Sequence, residues 1–217
     1  MTELSLDKIK NIHFVGIGGI SMSGLAEMLR LKGYNITGSD FKESELISHL
    51  RGLGILVCIG HECENVPKDC ELLVYTAAIK PNNPELLTAM EMGIKIVDRA
   101  ELLGAIMDLY EYSIGVAGTH GKTTTTSMIS EILLDGGYDP SLNVGGIFTS
   151  IGSNFRSGKS EYFVAESCEY FDSFSKFYPY VGVILNIERD HTDYFKTMEQ
   201  LENSFHRFAS NIKENGA

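Results

Sequence analysis

The sequence SIGVAGTHGKTTTTSM, at residues 113–128, determines how we expect the second half of the chain to fold. Its short apolar run at residues 114–117 predicts a buried parallel strand. The residues after Lys122 follow a helical pattern. The apolar side chains expected on one face of that helix are Met128, Ile129, Ile132 and Leu133. The pattern is therefore strand, glycine-rich turn, helix.

The turn between this strand and helix has the residues of a phosphate-binding loop. Glycines allow backbone N–H groups to converge on an anion, and a helix N-terminus adds a partial positive charge. Lys122 is expected to reach the β- and γ-phosphates of a nucleotide, and the Thr123 hydroxyl to ligate Mg²⁺. The strict pattern has a glycine five residues before Gly121, where this chain has Val116. The alternative is a glycine-rich turn with an incidental lysine.

The composition is that of an ordinary globular protein, with 43% hydrophobic and 22% charged residues. A formal charge of −11 argues against nucleic acid as a partner. No apolar run reaches membrane-spanning length, and the first residues are too polar for a signal peptide. These features predict a cytoplasmic protein that does not bind membranes. The 4 cysteines form no C-x-x-C pair, which favours reduced, structural thiols.

The first half of the chain has the pattern of a Rossmann-like unit. A strand at 11–16 leads through Gly18 and Gly19 into a helix at 21–31, and a second strand ends before Asp40. The third glycine of the dinucleotide pattern would fall at Ser21, so only a phosphate near a helix N-terminus is indicated. Strands and helices then alternate, which predicts a parallel sheet with helices on both faces. We place the domain boundary between residues 109 and 110.

In the second half, polar residues follow predicted strands at 161–165 and 181–185. Ligands of parallel α/β sheets lie beyond the carboxyl ends of the strands. Thr123 and Glu166 could therefore share one Mg²⁺, and His191 could hold a second metal ion or orient an acceptor. The alternatives are that Glu166 is a solvated strand end and that His191 only caps its loop.

Other residues of this half have simpler interpretations. Glu169 and Asp172 are interpreted as ordinary loop charges, and residues 153–159 as a polar turn. A closing amphipathic helix at 197–211 would bury Leu201, Phe205 and Phe208. In the first half, His13 is interpreted as packed in its strand, and the role of His61 stays open.

Several stretches together resemble the Mur ligase family, in the family's order and across nearly the whole chain. They are HFVGIGGISMSGLA at 13–26, GSD at 38–40, GTHGKTT at 118–124, AESCE at 165–169 and NIERDH at 186–191. The resemblance implies an α/β fold in which a Rossmann-like, parallel-sheet domain binds a UDP-sugar (residues 1–109). An incomplete P-loop α/β ATPase domain follows (residues 110–217).

The resemblance also implies a reaction and its residues. ATP, with Mg²⁺, would phosphorylate the lactyl carboxylate of UDP-N-acetylmuramate, and L-alanine would attack the acyl phosphate. Residues implied for the UDP-sugar are Gly18, Gly19, Ser21, Asp40, Thr76, Ala77, Ala78 and Ile79. Those implied for ATP are Gly118, Thr119, His120, Gly121, Lys122, Thr123 and Thr124. Lys122, Glu166 and His191 would be catalytic, and Thr123, Glu166 and His191 would bind metal.

Alternatives and limits follow from the same resemblance. A relative that re-attaches a recycled tripeptide to the same sugar would share these motifs. A non-catalytic UDP-sugar-binding module and an NAD(P)-dependent oxidoreductase are the alternatives of other classes. Family members are longer and add a C-terminal domain that binds the amino acid, so this chain is expected to be a fragment that is inactive alone. Amino-acid specificity and oligomeric state stay open.

Overall fold

The structure, a computed structural model, describes residues 4–217. The chain forms two compact units, a first unit of Ser5–Leu102 and a second unit of Leu103–Ala217. The division falls inside a helix that spans Arg99–Asp108, a few residues before the boundary expected from the sequence.

The first unit is built on a five-stranded sheet with the order β3-β2-β1-β4-β5, in which all pairs are parallel. This confirms the parallel sheet predicted from the alternation of strands and helices. Its strands are β1 Asn11–Val15, β2 Asn35–Asp40, β3 Leu56–Ile59, β4 Leu72–Tyr75 and β5 Lys95–Asp98. Its helices are α1 Ile20–Leu31, α2 Glu45–Gly52, α3 Pro84–Glu91 and α4 Arg99–Asp108, which continues into the second unit.

The second unit has a mixed five-stranded sheet with the order β10-β6-β9-β7-β8. Strand β8 is antiparallel to β7, and the other pairs are parallel. Its strands are β6 Tyr112–Ala117, β7 Ser141–Phe148, β8 Ser153–Arg156, β9 Tyr162–Glu166 and β10 Val181–Ile184. Its helices are α5 Lys122–Asp135 and α6 Met198–Ser210.

Two details of the second unit differ from the prediction. The polar turn expected at 153–159 is wrong in its first half, because Phe155 is buried and pairs with Asn143 of β7. The predicted apolar face of α5 is also only half buried: Ile129 and Leu133 pack on the core, whereas Met128 and Ile132 are 61% and 69% exposed.

The closing helix α6 follows the prediction closely. Leu201, Phe205 and Phe208 are all buried, as its apolar spacing predicts. Thr197 and Gln200 form a capping box that fixes where the helix begins. Within residues 4–217, no helix combines the length and apolar content needed to cross a bilayer.

Candidate functional site

The turn after β6 is held in place by the segment that follows β10. Gly118 and Gly121 have φ values of +141° and +85°, which favour glycine. The N–H of Thr119 donates to the backbone oxygen of Asn186 (3.1 Å), and the N–H of His120 donates to its Oδ1 (2.8 Å). The sequence did not identify Asn186 as the residue that holds the turn, although its position directly after the strand predicted at 181–185 was a signal.

The two hydrogen bonds to Asn186 determine which backbone N–H groups of the turn remain for an anion. Thr119 and His120 donate their N–H groups to Asn186, so the N–H groups at the start of α5 are better placed to bind an anion. The first N–H groups of a helix have no intrahelical acceptor, and the helix dipole favours an anion there. Lys122 lies over the same turn, and its Nζ donates to the carbonyl oxygens of Gly118 (2.5 Å) and Thr119 (3.2 Å).

Glu169 is the residue that connects the lysine to the histidine. Its side chain is 1% exposed, and its carboxylate lies 3.0 Å from Nζ of Lys122 and 3.5 Å from Nε2 of His191. The interpretation of Glu169 as an ordinary loop charge is therefore wrong. A carboxylate at this depth needs partners, and the lysine ammonium supplies the opposite charge.

Thr123 and Glu166 meet directly at the ends of neighbouring elements. The Thr123 hydroxyl donates to Oε2 of Glu166 (2.7 Å), which also accepts from the N–H of Gly145 (3.0 Å). A Cβ atom at Gly145 would lie 2.5 Å from Oε1 of Glu166, so a glycine is needed beside this carboxylate. A hydroxyl and a carboxylate oxygen are hard donors that fit Mg²⁺, which usually keeps water and phosphate as its other ligands.

His191 lies beside Glu169, on a different part of the site. Its φ is +47°, its N–H donates to Oδ1 of Asp190 (2.7 Å), and its ring stacks on Tyr170 at 4.4 Å. In the described part of the chain, no cluster of three or more His, Cys, Asp or Glu side chains could hold a metal ion. The structure thus brings Thr123 and Glu166 together, and joins Lys122 and His191 through Glu169.

Asp172 anchors the loop that carries Glu169. It accepts hydrogen bonds from Tyr194 (2.8 Å), Arg207 (2.7 Å) and Ser204. Burial raises the pKa of the Asp172 carboxyl, but these hydrogen bonds outweigh it and hold the pKa below the usual value. The interpretation of Asp172 as an ordinary loop charge is therefore also wrong. The preceding Phe171 and Asp172 itself both have φ of +54°, a strained conformation that these contacts maintain.

The first unit has a separate cavity of about 750 Å³ at the carboxyl ends of its strands. This volume is that of a small-molecule site. Residues predicted from the sequence that line it are Gly18, Gly19, Asp40, Thr76, Ala78 and Ile79. Ser21 and Ala77 are not among the lining residues. His61, Lys42 and Lys80, none of which was assigned to a ligand, also line the cavity.

One contact lies at the rim of this cavity, and a second holds Ser21 outside its lining. Oδ2 of Asp40 accepts from the N–H of Gly18 (2.8 Å), which ties the end of β2 to the glycine turn. Ser21 instead accepts from Nη1 of Arg99 (3.2 Å). Arg99 was missed because no local motif connects it to the start of α1, 78 residues earlier.

Two family profiles match the chain. The profile described as "Mur ligase family, catalytic domain" matches residues 11–111, and the one described as "Mur ligase middle domain" matches residues 116–217. Together they cover both units.

Curated proteins and solved structures that are similar to this chain are ligases of the same family. The UDP-N-acetylmuramate–L-alanine ligase of Acetivibrio thermocellus is 53% identical over 219 residues, which cover 100% of this chain and 46% of that protein. The UDP-N-acetylmuramate–alanine ligase structure from Thermotoga maritima has a TM-score of 0.81 and 32% identity, over 94% of this chain and 47% of that one. This chain thus spans about half the length of the curated relatives it matches.

A further solved structure has a name that gives a different substrate. It is the UDP-N-acetylmuramate:L-alanyl-gamma-D-glutamyl-meso-diaminopimelate ligase from Neisseria meningitides, with a TM-score of 0.83 and 28% identity over 96% of this chain and 70% of that one. The match covers both units of this chain. The glycine turns, the residues at the strand ends and these matches agree, and the chain belongs to the Mur ligase family.

Proposed function

We propose that this chain is the UDP-sugar-binding and ATP-binding part of a cytoplasmic ligase that joins L-alanine to UDP-N-acetylmuramate. The observation that carries the proposal is the arrangement at the end of the second sheet. Lys122, Thr123 and Glu166 come together there around the start of a helix. This is the chemistry of a nucleotide phosphate site with Mg²⁺.

The choice of amino acid rests on the relatives. The alanine ligase of Acetivibrio thermocellus is 53% identical over the whole chain. Among the solved structures, the alanine ligase of Thermotoga maritima is 32% identical, and the ligase of Neisseria meningitides, whose name gives a tripeptide substrate, is 28% identical. This difference favours L-alanine over a recycled tripeptide. All four cysteines of the chain are free thiols, which supports the cytoplasm as the site of action.

We propose a division of the two nucleotides between two domains, residues 1–109 and 110–217. In the first, the glycine turn at Gly18 and Gly19 would face the pyrophosphate of the UDP-sugar. Asp40, which now accepts from the N–H of Gly18, would bind its ribose. Thr76 and Ile79, which follow β4 and also line the cavity, would contact the same ligand.

In the second domain, the residues would act on the ATP γ-phosphoryl group. The lactyl carboxylate oxygen attacks the γ-phosphorus, the bond to ADP breaks, and an acyl phosphate forms. The alanine nitrogen then attacks the acyl carbon and inorganic phosphate leaves, which gives the amide. Lys122 would leave Glu169 to stabilise the transferred phosphoryl oxygens.

Thr123 and Glu166 would hold Mg²⁺ through the oxygen atoms that now share a hydrogen bond. When bound, Mg²⁺ supplies positive charge between the phosphates and the attacking carboxylate, which otherwise repel each other. His191 would hold a second metal ion or orient the acceptor, and Glu169 would fix its ring.

Calorimetric titration of the chain with UDP-N-acetylmuramate, and in parallel with NADH, tests the proposal. We expect saturable binding of the sugar nucleotide and no binding of NADH. Binding of NADH alone would overturn the proposal in favour of a dinucleotide-dependent oxidoreductase. Binding of neither ligand would show that the cavity of the first unit is not a UDP-sugar site.

A further inference from the structure

The first unit contains a buried carboxylate that no part of the proposed reaction uses. Glu85, near the start of α3, is 0% exposed. Its carboxylate accepts from Nε2 of His13 (3.0 Å), Oγ of Ser39 (2.7 Å) and Nδ2 of Asn65 (2.9 Å). It also lies 3.3 Å from Nδ1 of His61. Burial raises the pKa of Glu85, and the hydrogen bonds outweigh this effect and leave the pKa below its usual value.

The hydrogen bonds determine which nitrogen of His61 carries the proton. Ser39 has a single hydroxyl hydrogen, and it donates that hydrogen to Glu85. Ser39 must therefore accept at its 2.9 Å contact with Nδ1 of His61, so Nδ1 is protonated. The same N–H points toward Glu85. A neutral imidazole with a protonated Nδ1 has an Nε2 that accepts hydrogen bonds.

The remaining nitrogen of His61 is available to a ligand. Within residues 4–217, Nε2 of His61 has no hydrogen-bond partner, and the residue lines the cavity with its side chain 16% exposed. His61 follows β3, and β3 pairs with β2 so that Ile59 lies opposite Asp40. His61 is thus on the Asp40 side of the cavity, away from the strand that leads into Gly18.

We propose that Glu85 is a positioning residue that holds His61 with Nδ1 protonated, so that Nε2 accepts a hydrogen bond from the nucleoside half of the ligand. The inference rests on the proposed function, because the ligand is taken to be a uridine diphosphate. A nucleoside offers ribose hydroxyls and a base N–H as donors, whereas a fully ionised diphosphate offers none. A network that only stabilised the fold would not need an imidazole with an unused nitrogen at the cavity.

The test combines calorimetry with histidine NMR on the 217-residue chain. We expect Glu85→Gln and His61→Asn each to weaken UDP binding by about threefold to tenfold, which is the contribution of one hydrogen bond. Affinity for inorganic pyrophosphate should not change. The control is His49→Gln, which alters an exposed histidine of the same unit that pairs with Glu27 and should leave UDP binding unchanged.

Long-range ¹H–¹⁵N spectra of the imidazoles give a readout that does not depend on affinity. We expect His61 to show a protonated Nδ1 and a bare Nε2 whose resonance shifts when UDP binds. In Glu85→Gln this tautomer preference should weaken. If Glu85→Gln does not fold, His61→Asn still tests the contact, since Glu85 keeps its three other donors.

Analogues identify the donor on the ligand. One analogue is UDP that lacks both ribose hydroxyls, and the other is UDP methylated at the base N–H. Whichever analogue has lost the donor to His61 should bind the parent chain more weakly than UDP does. His61→Asn should not weaken the binding of that analogue further. If the parent binds UDP and the two variants bind it equally well, the inference is wrong and the proposed function stands. Equal weakening of pyrophosphate would also overturn the inference. If the parent does not bind UDP, the proposed function itself is wrong. A protonated Nε2 of His61 in the NMR spectra would overturn the positioning role of Glu85, whatever the UDP affinity.

Discussion

Replacing Gly145 by alanine should disable the proposed Mg²⁺ site without unfolding the second unit. The new Cβ would lie 2.5 Å from Oε1 of Glu166, and an ordinary carbon–oxygen contact is about 3.5 Å. The carboxylate must therefore retreat by about 1 Å. Its hydrogen bond with Thr123, now 2.7 Å, would then exceed hydrogen-bonding distance.

We expect Gly145→Ala to weaken binding of Mg·ATP by about tenfold to a hundredfold, the usual effect of disturbing a metal ligand's support. The free energy of unfolding should fall by only about 1 kcal/mol, because the displaced group is the end of a flexible side chain. Calorimetric titration with Mg·ATP and urea denaturation measure the two effects separately.

Gly146→Ala is the matched control. It lies on the same strand, and its Cβ would be 3.6 Å from Cγ2 of Thr123, an ordinary van der Waals contact. It should bind Mg·ATP like the parent. Unchanged affinity in Gly145→Ala, or an equal loss in both variants, would refute the assignment of Glu166 to the metal.

Three further predictions concern other parts of the structure. Glu169→Gln should lower the free energy of unfolding by about 2 kcal/mol in urea denaturation, because the partly buried Lys122 loses its counter-charge. Gly104→Ala should lower the melting temperature and the free energy of unfolding, the latter by about 3 kcal/mol, because its Cβ would overlap the backbone carbonyl of Lys176. Gly52→Ala is the control: its Cβ would meet nothing within 4 Å, and it should raise the free energy of unfolding by about 0.5 kcal/mol. Because its folded-state pKa is lowered, Asp172 stabilises the fold above its unfolded pKa of about 3.9 and loses this effect as the pH falls. In urea titrations from pH 7 to 3, Asp172→Asn should therefore lose less stability than the parent.

Each of these predictions has a result that contradicts it. Unchanged stability of Glu169→Gln would mean that the two backbone carbonyl contacts alone satisfy Lys122. Equal melting temperatures for the two glycine variants would contradict the close approach at Gly104. An unaltered pH profile for Asp172→Asn would show that the carboxylate does not anchor its loop.

The elements and the residues at strand ends could be predicted from the sequence because both follow local rules. Alternating apolar runs and helical patterns specify a parallel sheet, and a parallel sheet gathers the ends of its strands. This is why Thr123 and Glu166, 43 residues apart, could be placed together. In contrast, β8 was missed because the short segment SNFR has one apolar residue and its pairing depends on β7.

Glu169 and Glu85 could not be assigned from the sequence because their partners are distant. The loop that carries Glu169 has two residues with positive φ, and it turns the Glu169 side chain inward. Asp172 fixes this loop by its hydrogen bonds with Ser204 and Arg207, which lie 32 and 35 positions later in the chain. The partners of Glu85 lie 72, 46, 24 and 20 positions away. No periodicity or short motif encodes such contacts, and tertiary packing alone determines them.

We infer that the two units bind two different nucleotides. The most direct measurement is calorimetric titration of the parent chain and of Lys122→Ala with Mg·ATP and with UDP-N-acetylmuramate. We expect Lys122→Ala to lose Mg·ATP binding and to bind the sugar nucleotide with the affinity of the parent. Loss of both ligands, or retention of Mg·ATP binding, would contradict this division between the two units.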